Sequence, residues 1–154
     1  MKDGFIQQVG TPTEVFDMPI NLFVAEFIGA PKMNTFKCDL ILEDGKYYVT
    51  PYGAKIEITG KKAQMLKEKN VQSQEIVLGV RPENIEAGGE DLKVNVFSNE
   101  NLGMNTLVHG YLGGNAQAIT CKLRGWCDYK RGDEVNVQFV KRHFFDKETT
   151  NAIR

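Results

Sequence analysis

The 154 residues suffice for one ordinary domain or two very small ones, and a hydrophobic share of 42% is enough to build a core. Nineteen Lys and Arg stand against twenty Asp and Glu, a formal net charge of −1, which excludes a global field that would draw the chain to nucleic acid or to an anionic membrane. The longest apolar stretch, Leu22 to Ala30, is interrupted by Glu26 and is about half the length of a bilayer crossing, and Met1-Lys2-Asp3-Gly4 runs into a polar turn instead of a secretory signal, so the chain reads as cytoplasmic.

Asp3-Gly4 is a two-residue hairpin signal, and Phe5 to Val9 reads as the strand leaving it. Only Met1 and Lys2 remain for the entering arm. A one-armed hairpin is marginal in water, so the chain reads as a piece of a longer polypeptide. Thr11-Pro12-Thr13-Glu14 combines an N-cap hydroxyl, a proline at the first helical position and a glutamate three residues after the cap, which predicts a short helix to about Met18. Pro19 opens a second helix, in which Ile20, Phe23, Val24, Phe27 and Ile28 form one apolar stripe ending at Gly29. That stripe is either core of this chain or a surface that docks on a preceding domain. Ala30-Pro31 closes the segment, and the sequence places a domain boundary there, with a helical segment over 1–30 and a β domain over 31–154.

From residue 35 the period switches to two. Phe36, Cys38, Leu40 and Leu42 alternate with more polar neighbours, Asp44-Gly45 supplies a turn, and Tyr47-Tyr48-Val49 returns. Ile56 and Ile58 make a third strand, and Lys61 to Lys69 is rich in helix formers with Ala63 and Leu66 on one side. Further strands are predicted at Ile76 to Val80, Leu92-Val94-Val96, Leu107 to Leu112, Ala116 to Leu123 and Val135-Val137-Phe139, with Gly113-Gly114-Asn115 as a hairpin turn. Short strands at turn-punctuated intervals predict a mainly β chain, a small barrel or a pair of curled sheets with one or two helices.

Catalytic chemistry has little to build on. No segment offers the G-x-x-x-x-G-K-[ST] phosphate loop, so ATP hydrolysis is not expected of this chain by itself. Cys38, Cys121 and Cys127 are an odd number and too far apart for a C-x-x-C pair, and they read as reduced structural residues. His109 and His143 stand alone, with no metal-ligand spacing and no nucleophile beside them in sequence. No catalytic residue, metal or cofactor is therefore expected. Phe and Tyr fall largely at apolar strand positions, which suits core and not a stacking platform for single-stranded nucleic acid.

Several stretches carry a family resemblance. Lys2-Asp3-Gly4-Phe5-Ile6-Gln7-Gln8-Val9-Gly10-Thr11-Pro12, then Glu14-Val15-Phe16, Pro19, Phe23-Val24-Ala25-Glu26-Phe27-Ile28-Gly29 and Met33-Asn34, resemble the end of the ATPase domain in maltose and multiple-sugar ABC importer subunits. Leu78-Gly79-Val80-Arg81-Pro82-Glu83-Asn84-Ile85 is similar to the L-G-[IV]-R-P-E-x-[IL] signature of the C-terminal regulatory, TOBE/OB-like domain of the same ATP-binding subunits. Glu100-x-Leu102-Gly103 resembles their E-x-L-G step, and Phe144-Phe145-Asp146 with Thr149 to Ile153 resembles their closing run.

The resemblance implies a TOBE/MOP-like barrel preceded by a short helical remnant of the ATPase domain, which would itself hold ATP and magnesium. It also implies a homodimer through the barrel, permease subunits as partners on the cytoplasmic face of the membrane, and in some members a carbohydrate-signalling protein. Related domains in oxyanion importers bind small anions, which is the alternative. Gly79, Arg81, Pro82, Glu83, Glu100, Leu102 and Gly103 are read as architectural: Pro82 forces Arg81 toward extended geometry, the Arg81 fork suits carbonyls or Glu83, and Gly103 suits a tight turn. Phe144 and Phe145 beside His143 either face a partner or close the barrel.

Overall fold

Alternating apolar and polar residues become strand along most of this chain. A computed structural model, which describes residues 2–113 and 117–154, gathers the strands into two sheets. In chain order the elements are α1 (Pro12–Asp17), α2 (Leu22–Phe27), β1 (Asn34–Glu43), β2 (Lys46–Val49), β3 (Ile56–Ile58), α3 (Gly60–Glu68), β4 (Gln74–Val80), β5 (Ile85–Asn101), β6 (Asn105–Leu112), β7 (Gln117–Arg124), β8 (Glu134–Phe139) and β9 (His143–Asp146). Two compact units result, one comprising the residues up to Gly79 together with His143–Arg154, the other Val80–Arg142. The expected mainly β, OB-like architecture with few helices is what the structure shows.

The first unit holds a five-stranded sheet in the order β3-β2-β1-β4-β9. Its β1–β2 hairpin is closed by Asp44 (φ 52°) and Gly45 (φ 76°) with Glu43 opposite Lys46, as the sequence predicts. Phe36, Leu40, Val49, Leu66, Ile76 and Leu78 are fully buried. The Tyr47 hydroxyl reaches the Leu66 carbonyl (3.1 Å) and the Val71 carbonyl (2.7 Å), tying the end of α3 to β2. β4 and β9 run antiparallel, with Gly79 opposite His143, Leu78 opposite Phe144 and Val77 opposite Phe145. Phe144 and Phe145 are 1% and 0% exposed. This corrects the reading of these two as a possible interface: their rings are core, and they offer no side-chain surface to a partner.

The helical start of the chain departs from expectation in three places. The turn at Asp3-Gly4 forms, but only the bridge between Lys2 and Phe5 follows it, and no strand runs over 5–9. A strand needs a neighbour for its backbone groups, and Phe5, Ile6 and Val9 instead lie exposed. The capping box of α1 is present, with Glu14 N–H donating to Thr11 Oγ1 (3.2 Å) and Thr11 N–H donating to Glu14 Oε2 (2.9 Å).

α2 starts later than Pro19, because Asn21 caps it by accepting from Val24 N–H (2.9 Å). It buries Val24 and Ala25 while Phe27, from the predicted stripe, is 72% exposed and stacks on Phe23. Ala25 packs with Met33, Val77 and Phe145. Leu22 N–H donates to the Thr150 carbonyl and Ala152 N–H to the Ile20 carbonyl, so the segment before Ala30 packs on elements that follow it.

In the second unit the order is β7-β6-β5-β8, all antiparallel neighbours. β6 shows strict alternation, its even positions from Thr106 to Leu112 buried and its odd ones half-buried. β5 is longer than the predicted Leu92–Val96. It begins at Ile85 and passes an irregularity in which Val137 faces both Ala87 and Leu92, with Gly88 (φ 92°) and Gly89 (φ 73°) in between. Gly110 sits where a Cβ would come within 2.4 Å of the Asn95 carbonyl oxygen, a close approach that only glycine allows. The β6–β7 connection expected at Gly113-Gly114-Asn115 falls partly on residues 114–116, outside the described residues.

Candidate functional site

The two signature stretches land on different kinds of structure. Gly79 lies in β4, where a Cβ would meet Met33 Sδ at 2.6 Å and the Phe145 ring at 3.0 Å. Arg81 takes the extended conformation that Pro82 imposes (φ −72°, ψ 145°), and a 3-10 turn over Pro82–Asn84 follows, closed by Asn84 N–H donating to the Arg81 carbonyl (2.9 Å). The Arg81 side chain is 1% exposed. A guanidinium so deeply placed faces protein and leaves no open side for a ligand. Glu83 is exposed and Pro82 buried.

Glu100, Leu102 and Gly103 lie at and beside the β5–β6 turn. Leu102 N–H donates to the Asn105 carbonyl (2.8 Å) and Gly103 N–H to Asn101 Oδ1 (2.7 Å). Gly103 has φ 90° with open space around its Cβ position, so glycine is needed there for backbone conformation and not for room. The turn carries two exposed apolar side chains, Leu102 at 54% and Met104 at 86%.

A second loop, leaving β7, is fastened beside it. Gly125 N–H donates to the Met104 carbonyl (2.7 Å), the buried Thr106 hydroxyl donates to the Gly125 carbonyl (2.7 Å), and Thr106 Oγ1 in turn accepts from Cys127 N–H (3.1 Å). Between those anchored residues stands Trp126, 75% exposed. Sequence reasoning passed over Met104 and Trp126; the available signal was that Trp126 is the chain's single tryptophan, set in a Gly-Trp-Cys loop and not in a strand.

Three polar side chains line up across the same sheet. His109 on β6 places Nε2 3.2 Å from Glu100 Oε2 and Nδ1 3.2 Å from Thr120 Oγ1. A neutral ring satisfies both, donating at Nε2 and accepting the threonine proton at Nδ1. The structure thus gives His109 a hydroxyl neighbour that its sequence surroundings do not show. The trio cross-links β5, β6 and β7.

The cavities have mixed charge. One of about 290 Å³ in the first unit is lined by Lys37, Cys38, Asp39, Thr50, Glu75 and Lys147, with Lys147 paired to Glu75. One of about 340 Å³ in the second unit sets Lys122 and Arg124 against Glu83 and Glu86. Neither holds the single-signed set of donors that an anion site requires. Burial pushes the Cys38 thiol up to about 11 and the Cys121 thiol up to about 12, so both stay protonated at neutral pH and are poor nucleophiles and poor metal ligands. Among the described residues no group of three or more His, Cys, Asp and Glu could hold a metal ion. No helix among them is long and apolar enough to cross a membrane.

Residues 29–85, which run from the end of the helical segment through β4 and the Arg81-Pro82 turn, match the MalK OB fold domain family. That stretch is thus similar to a MalK OB-fold domain. Around that domain, similarity extends over essentially the whole chain. It is 36% identical to the ABC transporter ATP-binding protein YurJ of Bacillus subtilis (99% of this chain, 44% of the relative). It is 35% identical to the oligosaccharides import ATP-binding protein MsmX of the same organism (100% of this chain, 43% of the relative). It is also 35% identical to the multiple sugar-binding transport ATP-binding protein MsmK of Streptococcus mutans (98% of this chain, 41% of the relative). The chain therefore spans less than half the length of these curated relatives. The Glu100–Gly103 step and the Trp126 loop lie beyond the segment matched to the MalK OB-fold domain.

Proposed function

We propose that this chain is the non-catalytic regulatory and dimerisation part of the ATP-binding subunit of an ABC-type carbohydrate importer, for a sugar or a glycerol phosphate. The observation that carries this reading is similarity to sugar-import ATP-binding proteins over 98–100% of the chain, in a sequence that lacks a phosphate loop. ATP and magnesium belong to an ATPase domain of the parent polypeptide, and residues 1–30 are that domain's last segment. The exposed Phe5, Ile6, Val9 and Phe27 support this, since they leave apolar surface for a neighbour to cover.

The physical role follows from tethering. When two barrels stay paired, the attached ATPase domains re-associate at an effective concentration on the order of millimolar instead of by free diffusion. The barrel thereby keeps the subunits together after each turnover, and a signalling protein that binds it has a lever on that cycle. The assembly sits on permease subunits at the cytoplasmic face of the membrane.

Calorimetry with ATP and magnesium should show no binding tighter than about 1 mM, equivalent to roughly −4 kcal/mol. Light scattering at tens of micromolar should give twice the 17.3 kDa of the chain, as a well-packed interface of about 1,600 Å² supports micromolar association. Tight ATP binding would refute the non-catalytic assignment; a monomer at that concentration would refute dimerisation.

A further inference from the structure

Leu102, Met104 and Trp126 are apolar side chains held out into solvent by a rigid framework. Gly125 is bonded through both its N–H and its carbonyl, Cys127 through its N–H, and the hydroxyl that joins them belongs to Thr106, which is 0% exposed. A chance exposure on a loose loop would not engage a buried polar group in its support. Pre-organised display of a tryptophan and a methionine is the composition and the rigidity found at the centre of protein interfaces. With aromatic side chains burying about 150–250 Å² each, the exposed parts of these three offer roughly 400 Å², about half of the ~800 Å² that each partner contributes to a standard interface.

The charges around the patch indicate what covers it. Glu100 near the end of β5, Arg124 at the end of β7, and Asp128 and Lys130 on the loop after β7 are exposed, two of each sign. Nucleic acid or an anionic membrane would meet two unfavourable carboxylates, whereas a second copy related by a two-fold axis can set the carboxylates of one patch against the cations of the other. We infer that the surface made by Leu102, Met104 and Trp126 is where two copies of this chain pair. This rests on the dimer reading given above and adds its location.

Trp126, the only tryptophan, reports directly on that location. Its emission should shift to the blue as the chain is concentrated from about 1 to about 100 µM, in step with the doubling of mass measured by light scattering. Met104→Lys, at a position 86% exposed, should raise the dimer dissociation constant at least about tenfold and abolish the shift, with circular dichroism unchanged. Phe27→Lys, on a different exposed apolar residue, should do neither. If mass doubles with no change in Trp126 emission, or if Phe27→Lys and not Met104→Lys breaks the dimer, the location is overturned while dimerisation stands. If the chain remains a monomer, both fall; a monomer whose Trp126 emission responds to vesicles of anionic lipid would assign the patch to membranes.

Discussion

Replacing Gly110 by alanine tests whether the second unit is packed as described. The added Cβ would sit 2.4 Å from the Asn95 carbonyl oxygen and 2.5 Å from Val94 Cγ1, against the roughly 3.3–3.5 Å that such atoms tolerate. The valine methyl can turn aside, but the oxygen belongs to the backbone of β5, so relief requires β5 and β6 to separate where Val96 faces Gly110. Overpacking of this kind costs about 1–3 kcal/mol, and the contact with backbone places Gly110→Ala in the upper half of that range. Removing a glycine also restricts the unfolded chain, which offsets about 0.4–1 kcal/mol and leaves a net loss of about 1–2 kcal/mol. With a urea m-value of about 2 kcal/mol/M, the midpoint should fall by about 0.5–1 M at unchanged slope. Trp126 lies in the second unit, so its fluorescence follows that unit's unfolding. A midpoint within 0.1 M of the original, a tolerance of roughly 0.2 kcal/mol at that slope, would refute the close approach of β5 and β6.

Tyr47→Phe removes the hydroxyl that serves the Leu66 and Val71 carbonyls at the end of α3, and should cost about 1–2 kcal/mol in urea unfolding followed by circular dichroism. A neutral result would mean that the packing of α3, and not this hydroxyl, holds its end in place. At pH 8 a disulfide reagent should leave Cys38 and Cys121 unmodified in the folded chain and reach all three cysteines after denaturation, because burial raises both thiols far above that pH. The same shifts set a sign for alkaline stability. Above about pH 9 the unfolded chain loses these thiol protons first, so stability is intact below that pH and declines as it rises through 11 to 12. Mutating both thiols to alanine should remove that part of the alkaline slope, and a slope unchanged in the double variant would assign it to other groups.

Features governed by neighbouring residues were legible in the sequence. The Asp44-Gly45 hairpin and the Thr11–Glu14 capping box need only a few adjacent residues, and both appear as read. The start of β5 was missed because Gly88-Gly89-Glu90-Asp91 breaks the alternation, and only the pairing with β8, about 50 residues onward, keeps both sides of that irregularity in one strand. On α2 the period-3.6 stripe was real, but contacts with Met33, Val77 and Phe145 selected Ala25 and turned Phe27 outward. β9 is a run of three buried residues with no alternation, since its neighbours cover both faces, and such a run does not announce its orientation. At the candidate site, Leu102 and Gly103 came from the family signature. Trp126 did not, because its placement depends on Thr106, about 20 residues away in the chain.

The pairing of Gly79 with His143 has a bearing on the order of assembly. β4 and β9 are adjacent strands, yet everything from Val80 to Arg142 is threaded between them, so the first unit is complete only after a detour of roughly 60 residues has been closed. Left as flexible chain, such a detour costs roughly 2 kcal/mol more to close than a tight turn, by the (3/2)RT ln n scaling. Once folded, the inserted unit delivers its two ends ready to be joined, and that cost disappears. The second unit thus acts as a clasp: its own folding lowers the entropy that β9 must overcome to dock, and its unfolding loosens a strand whose Phe144 and Phe145 lie in the core of the other unit.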